Sequence, residues 1–377
     1  MTKTTDTRKL RGEVRDFLAE ERARGTVLGR PDSWLTGWDP DFSRRLAARG
    51  WVGMALPPRY GGGGRGFAAR VVVIEELLAA GAPVSAHWVA DRQAGPSILA
   101  HGTEEQKQRF LPAIAAGRCF FSIGMSEQEA GSDLANVRTR AERVPGGWRL
   151  TGTKKWTGGA HVNDYAIVLA RTGEHEDRHQ GLSQFIVDLR APGVRTEPIH
   201  LLTGEHTFNW FHLDGVEVPD GMLLGQEGDG WKQVTGELAF ERSGPERYLS
   251  TFPLLVSLTR ELRRGAATPD QQARLGALLA RIFAIRQLSL GVADALDTGR
   301  PADVRAALVK DLGTRLEGEL VHEVRRILPR AADTGATPGS YPHHLAYALL
   351  HSPGYTLRGG TNEILRGVIT RGLERQS

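Results

Sequence analysis

Glu241 and Arg242, then Glu246 and Arg247, flank a Ser-Gly-Pro step in the octapeptide FERSGPER, residues 240–247. A carboxylate set against apolar neighbours can take a weakly acidic proton from carbon, because burial penalises its ionised form and brings its proton affinity toward working pH. Phe240 and the nearby Leu238 would give Glu241 such an apolar wall. The alternative for either acid is a helix-surface ion pair with a neighbouring Arg, an arrangement that contributes little. Glu246 is expected in that second role. Pro245 removes one helix hydrogen bond and is expected to kink the helix near Glu241.

Two further stretches carry the residue types of known chemistry without its context. HEDRH, residues 175–179, matches the H-E-x-x-H spacing that on a helix offers zinc two His ligands beside a Glu base. Its surroundings, TGEHEDRHQG, have no apolar face and separate two strand-like runs, so the segment reads as a solvated hairpin loop and no metal is expected. GGGGRG, residues 61–66, has the glycines of a phosphate loop, but Phe67 and Ala68 stand where Lys and Ser or Thr are required. It reads as a flexible turn.

These groups must be positioned by a chain of 377 residues, long enough for two or three cores at about 150 residues per domain. Apolar residues make up 40% and charged residues 24%, the balance of a globular protein. The 48 Lys and Arg intermingle with 44 Asp and Glu, and no basic block with interleaved aromatics marks a nucleic-acid face. Cys119 is the single cysteine, which excludes an intrachain disulfide and points to a reducing cytoplasm. The N-terminal MTKTTDTRKLRGEVRDFLAE reads as a charged helix and no run approaches 18 continuous apolar residues, so neither secretion nor a membrane span is expected.

Apolar residues recur at three- and four-residue spacing through DFSRRLAARGW, VVVIEELLAA and TEEQKQRFLPAIAAG, predicting helices up to residue 118. Thr103, followed by Glu104, Glu105 and Gln106, suits a helix N-terminus. From 119 to 226 short alternating runs broken by Gly, Asn, Asp and Pro predict a β-domain. From 227 to 377 long helical periodicity returns, with a loop expected over ADTGATPGSYP, residues 332–342. The expected domains are therefore 1–118, 119–226 and 227–377.

Five segments in one order, GWVGMALPPRYGGGG, HGTEEQKQRFLPAIAAG, GMSEQEAGSD, LTGTKKWTGGAHVNDYAIVLART and RGGTNEILRGVI, closely resemble the acyl-CoA dehydrogenase family over about residues 10–372. The resemblance implies an α+β multidomain fold: a helical N-terminal domain, a middle β-barrel-like domain and a C-terminal four-helix bundle, assembled as a homotetramer or dimer. It further implies FAD and the α,β-dehydrogenation of an acyl thioester, acyl-CoA or acyl carrier, to the trans-2-enoyl thioester in lipid metabolism. A carboxylate takes the α-proton, flavin N5 the β-hydride, and an electron-transfer flavoprotein or similar acceptor the electrons.

Carried over by position, Met125 and Ser126 resemble the pair that offers an amide and a hydroxyl to the flavin's polar edge, and Ser132 the residue facing the pantetheine arm. Trp156 resembles the indole packed by the flavin ring. Relatives place a hydroxyl two residues after it, where Gly158 stands here; Thr157 is expected to substitute. Gly359, Gly360, Thr361 and Glu363 resemble the turn and helix start that meet FAD from the bundle. The usual base, immediately before the Gly-Thr of that turn, is replaced by Gly359, with Arg358 ahead of it. A smaller group of relatives supplies the base from the first long helix of the bundle, and their Glu-Arg pair lines up with Glu241 and Arg242. Glu241 is accordingly expected to be the base and Arg242 to steady it or contact the thioester arm.

The Arg and Phe-Gly pattern that reaches a neighbour's FAD in many relatives is missing, leaving Arg263, Arg264 or Arg274 as substitutes. Two other readings stay open on this architecture. One is a flavin monooxygenase or oxidase; the other is a non-catalytic subunit of a heteromeric dehydrogenase.

Overall fold

The computed structural model describes residues 2–374, with backbone alone for residues 2–5 and 237–241. Helices α1 (Thr2–Ala23), α2 (Ser33–Thr36), α3 (Pro40–Ala48), α4 (Phe67–Ala79), α5 (Ser85–Val89), α6 (Gly95–His101) and α7 (Glu104–Ala115) come first, with a π-helical turn at Ala90–Ala94. Strands β1 (Phe121–Gly124), β2 (Arg140–Val144), β3 (Gly147–Gly158), β4 (Tyr165–Arg171), β5 (Leu182–Asp188), β6 (Val194–His200), β7 (His206–Pro219) and β8 (Leu223–Leu224) follow. Helices α8 (Gly230–Arg242), α9 (Phe252–Arg264), α10 (Pro269–Asp297), α11 (Asp303–Ile327), α12 (Tyr341–His351) and α13 (Asn362–Glu374) complete the described chain. Helical N- and C-terminal parts thus enclose a middle sheet in the sequence.

In space the chain forms two compact units, one from the residues up to 37, 65–84 and those from 239 onward, the other from 38–64 and 85–238. The second unit holds the eight-stranded sheet, ordered β6-β7-β3-β2-β4-β5-β8 with β1 beside β4. Trp148, Leu150, Ile167, Val168, Phe185, Ile186 and Phe211 from the strands pack with Ile98, Phe110 and Ile114 from α6 and α7 into one core. The start of α7 is capped as its sequence predicts. Thr103 Oγ1 accepts from Gln106 N at 3.2 Å and Gln106 Oε1 from Thr103 N at 3.0 Å, satisfying two backbone donors reciprocally.

The first unit is built around α4, whose residues from Arg70 to Leu78 are all buried. A helix apolar on every side belongs inside a bundle, and the two acids it carries inward are paired. Glu75 accepts from Arg286 Nε at 2.6 Å and Arg11 Nη2 at 2.7 Å, while Glu76 accepts from Arg15 Nε at 2.8 Å and from Arg11. Among the described residues one helix, α10, is long and apolar enough to cross a membrane by length and composition, with 28% of its most apolar window buried. It packs against α11 and α4 through Leu278, Ile282, Ile285, Ser289 and Val292.

Two expectations for FERSGPER fail. Pro245 does not kink a continuous helix: α8 stops at Arg242, and Pro245 opens a separate 3-10 turn, Pro245–Arg247. Gly244 before it is extended (φ −74°, ψ 164°), as the ring of a following proline demands, so the helix ends rather than bends. Glu246 does pair with a neighbouring Arg, Arg247, at 3.4 Å, but both side chains are buried rather than on a helix surface. The turn lies against α11, where a Cβ added at Gly313 would stand 2.4 Å from the Arg247 carbonyl oxygen.

Gly313→Ala is therefore expected to destabilise the protein by about 1–3 kcal/mol through overpacking. Gly318→Ala on the same helix, with nothing within 4 Å of the added methyl, should stabilise it by roughly 0.5–1 kcal/mol. Urea unfolding of the two variants side by side measures the opposite signs.

Candidate functional site

Alternation along β3 buries Trp148, Leu150 and Lys154 and exposes Arg149 and Thr151. The pairing of β3 with β7 then slips between Lys154 and Thr157, and Trp156 within the slip has φ 63°. A left-handed Trp in a strand costs about 1–3 kcal/mol, and such strain collects where a side chain must be re-aimed. Here the bulge leaves the indole 51% exposed, edge-on to Phe208 with centroids 5.9 Å apart. Thr157 next to it is fully buried, yet its Oγ1 has no hydrogen-bond partner among the described residues. Asn209 Nδ2 donates to the Thr157 carbonyl at 3.0 Å and fixes that peptide.

The GMSEQ turn after β1 lies against this part of β3. Lys155 N donates to the Ser126 carbonyl at 2.8 Å, and Lys154 Nζ donates to the Met125 carbonyl at 3.1 Å and to Glu127 Oε1 at 2.8 Å. Met125, Ser126, Trp156 and Thr157 are thus brought together. Ser132 is not with them: it is exposed on the loop between β1 and β2, next to Asp133, which pairs with Arg178 at 2.9 Å. HEDRH occupies the β4–β5 hairpin loop, with its residues 175–178 exposed, and is not helical.

A second cluster belongs to the other unit. Gly359 (φ 70°) and Gly360 (φ 84°) form a left-handed turn ahead of α13, a conformation in which a Glu at 359 would be strained. Lys310, fully buried on α11, donates to the carbonyls of Thr356 at 2.8 Å and Gly360 at 2.6 Å and to Asn362 Oδ1 at 2.6 Å. Thr361 Oγ1 accepts from Ile364 N at 3.4 Å in the first turn of α13. Glu363, exposed there, is held below the usual carboxylate range by its own backbone amide and by Thr361. Arg242 is buried at the end of α8, and its Nη2 lies 3.5 Å from where a Cβ on Gly360 would stand. The Arg242 side chain therefore reaches the RGGT turn. The side chains of Glu241, Phe240 and Leu238 lie outside the described residues, and with them the expected apolar wall.

Arg358 is tied to Asp32, Nη1 to Oδ2 at 2.7 Å, with His351 Nδ1 3.4 Å from the same oxygen. Beneath them Glu317 is 1% exposed and accepts from Thr251 N at 3.2 Å, while its Oε2 has no partner among the described residues. Burial, then the nearby Asp32 charge, push the Glu317 carboxyl up to about 8. Of the arginines named for a neighbour's cofactor, Arg264 is paired to Glu261 at 2.9 Å and Arg274 to Asp270 and Glu323 at 2.8 Å. Neither is without a carboxylate partner.

Lys154, Glu127, Lys310, Asp32 and Asn209 were not singled out by motif. The alternation of β3 did carry a signal for Lys154, since it shares the parity of Trp148 and Leu150.

Family models for the N-terminal, middle and C-terminal domains of acyl-CoA dehydrogenase match residues 4–118, 122–216 and 228–374. The chain belongs to the acyl-CoA dehydrogenase family. It is an oxidoreductase of that class, whose members dehydrogenate acyl-CoA thioesters with flavin. It is 33% identical over 396 residues to the acyl-CoA dehydrogenase IpdE1 of Mycolicibacterium smegmatis, covering 98% of this chain and 99% of that one. It is 34% identical over 320 residues to FadE34 of Mycobacterium tuberculosis, matching 85% of this chain but only 44% of FadE34. The solved structure of the Tcur3481-Tcur3483 steroid ACAD superposes with a TM-score of 0.87 at 27% identity, covering 98% of this chain and 97% of that one.

The residues present fit a flavin. The exposed indole face of Trp156 and the buried hydroxyl of Thr157, without a partner among the described residues, are features a bound planar cofactor with polar edges would complete.

The Glu317 carboxyl gives a test of the buried network around Arg358. Its folded value, about 8, exceeds the ordinary 4.5, so the native state binds the extra proton between those limits. Stability is then greatest below about pH 4.5 with respect to this group and falls as pH rises through about 8. Glu317→Gln keeps the acceptor for Thr251 N and is expected to flatten that fall, measured by chemical unfolding from pH 5 to 9.

Proposed function

We propose that the chain dehydrogenates an acyl-CoA at its α and β carbons with FAD bound, and that Glu241 is the base. The observation that supports this reading is the reach of the buried Arg242 side chain, at the end of α8, toward Gly360 in the turn from which the family's usual carboxylate is missing. Glu241 takes the α-proton on its carboxylate. Arg242, buried at the end of α8, steadies that helix end. By likeness to the family, Met125, Ser126, Trp156 and Thr157 of the sheet are assigned to the cofactor, and so, within their own unit, are Gly359, Gly360, Thr361 and Glu363. Ser132 meets the pantetheine arm. Bound FAD supplies the acceptor for the β-hydride, and an electron-transfer flavoprotein or comparable partner relieves it of electrons.

A bulky, steroid-type acyl group is the proposed substrate class, supported by the likeness to the steroid ACAD. Assembly into a dimer or tetramer is supported by α10, where Leu279, Phe283 and Leu288 are 43%, 60% and 39% exposed on an apolar helix. The paired name of that neighbour, Tcur3481-Tcur3483, supports a second, related chain as one such partner. Light scattering on the purified protein is expected to give a mass above that of one chain, 41.2 kDa. A cytoplasmic location rests on the lone Cys119, which is buried and free.

Anaerobic titration of the FAD-loaded protein with short, branched, long and steroid-like acyl-CoAs should bleach the flavin band with the last class. Glu241→Gln is expected to retain FAD and lose about 10²–10⁴-fold in bleaching rate, the span of general-base catalysis. A near-normal rate would sink the assignment, and product formed only with oxygen would move the chain to the oxygen-using flavoenzymes.

A further inference from the structure

Lys154 belongs to no cofactor contact carried over from the family, yet every polar partner of its side chain among the described residues lies on the turn that bears two of them. A wholly buried ammonium is costly unless its protons are accepted. Its acceptors are the Met125 carbonyl, at 3.1 Å, and Glu127 Oε1, at 2.8 Å. Glu127 is itself fixed, accepting from Arg138 N at 2.7 Å, Thr139 N at 2.9 Å and Thr139 Oγ1 at 2.6 Å. On the facing strand β7 the residue opposite Lys154 is Phe211, so Glu127 is the charge set against it.

Peptide planarity turns this contact into a direction. With the Met125 carbonyl drawn toward Lys154, the trans peptide sends the Ser126 N–H to the opposite side. The next peptide is equally constrained: the Ser126 carbonyl accepts from Lys155 N, and Glu127 N donates to the Ala130 carbonyl at 3.0 Å. The Ser126 N–H meets no acceptor among the described residues. It is left for a ligand, and the ammonium on the carbonyl side polarises it as a donor.

We propose that Lys154 is a positioning residue for the flavin: through the Met125 carbonyl it sets the 125–126 peptide so that the Ser126 N–H is aimed at the ring's polar edge, and Glu127 holds it there. This rests on the reading of the chain as a flavoenzyme with Met125 and Ser126 at the ring. Burial lowers the Lys154 ammonium to about 8, with Glu127 opposing the fall, so the arrangement should be sensitive to pH in a measurable range.

The test is FAD affinity of the full-length protein, by flavin fluorescence from pH 6.5 to 9.5, with the unfolding temperature of each FAD-free variant alongside. Wild-type affinity should drop as pH rises through about 8. Lys154→Met should bind FAD about tenfold to a hundredfold more weakly at pH 7, the loss of one charge-assisted hydrogen bond, and lose that pH dependence. Glu127→Gln should move the drop to lower pH, and Lys154→Arg should restore part of the affinity. Arg149→Met, on the outer face of β3, should match wild type. Normal FAD binding with an unshifted profile in Glu127→Gln overturns this proposal alone. Wild-type protein that binds no FAD overturns the flavoenzyme reading as well.

Discussion

A lysine without water must be answered by oxygen on all sides, and that requirement organises two turns of this chain, one in each unit. Lys154 takes the Met125 carbonyl and Glu127, and Lys310 takes the Thr356 and Gly360 carbonyls and Asn362. In each case the ammonium lies on a regular element and the carbonyls that accept from it lie in an irregular one. Turn carbonyls cannot satisfy each other as a helix or strand does; a buried cation gathers them into one arrangement and makes a loop nearly as defined as the scaffold beneath it. Breaking one such contact strands a charge as well as an acceptor, which is why these positions tolerate little.

The same logic accounts for the strain beside them. Trp156 is left-handed between two anchors, each one peptide removed from it: Lys155 N donates to the Ser126 carbonyl before it, and the Thr157 carbonyl accepts from Asn209 after it. The strand must absorb the slip between those anchors, and the indole is turned outward as a result. Rigidity of this kind lets an aromatic face be presented without burying it.

Much of the fold was legible because its signals are local. The capping box at Thr103 and the hairpin loop around HEDRH needed only neighbouring residues. The glycine turn at 359–360 came from likeness to a family rather than from spacing, and the structure gives its backbone reason. What escaped the sequence was long-range. The burial of Glu246 with Arg247 depends on Gly313, and the Arg358 partner, Asp32, stands more than 300 positions earlier in the chain. The break at Pro245 was half legible: the proline announced an interruption, but extended Gly244 decided that the helix would end. Lys154 was the missed signal, since two adjacent lysines in a strand must point to opposite faces.

The first unit draws its helices from both ends of the sequence. Helix α4 packs against α1 and also against α9 and α10, with Glu75 joined to Arg286 across 211 positions. During synthesis at about 5–20 residues per second, α4 waits roughly ten seconds or longer for α10 to be made. The sides of its apolar stretch VVVIEELL that α9 and α10 cover stay open for all of that time. The second unit, whose segments end at residue 238, has every strand available sooner. A nascent chain of this protein is therefore expected to carry a finished sheet together with a half-covered helix, a state that calls for chaperone cover late in translation rather than early.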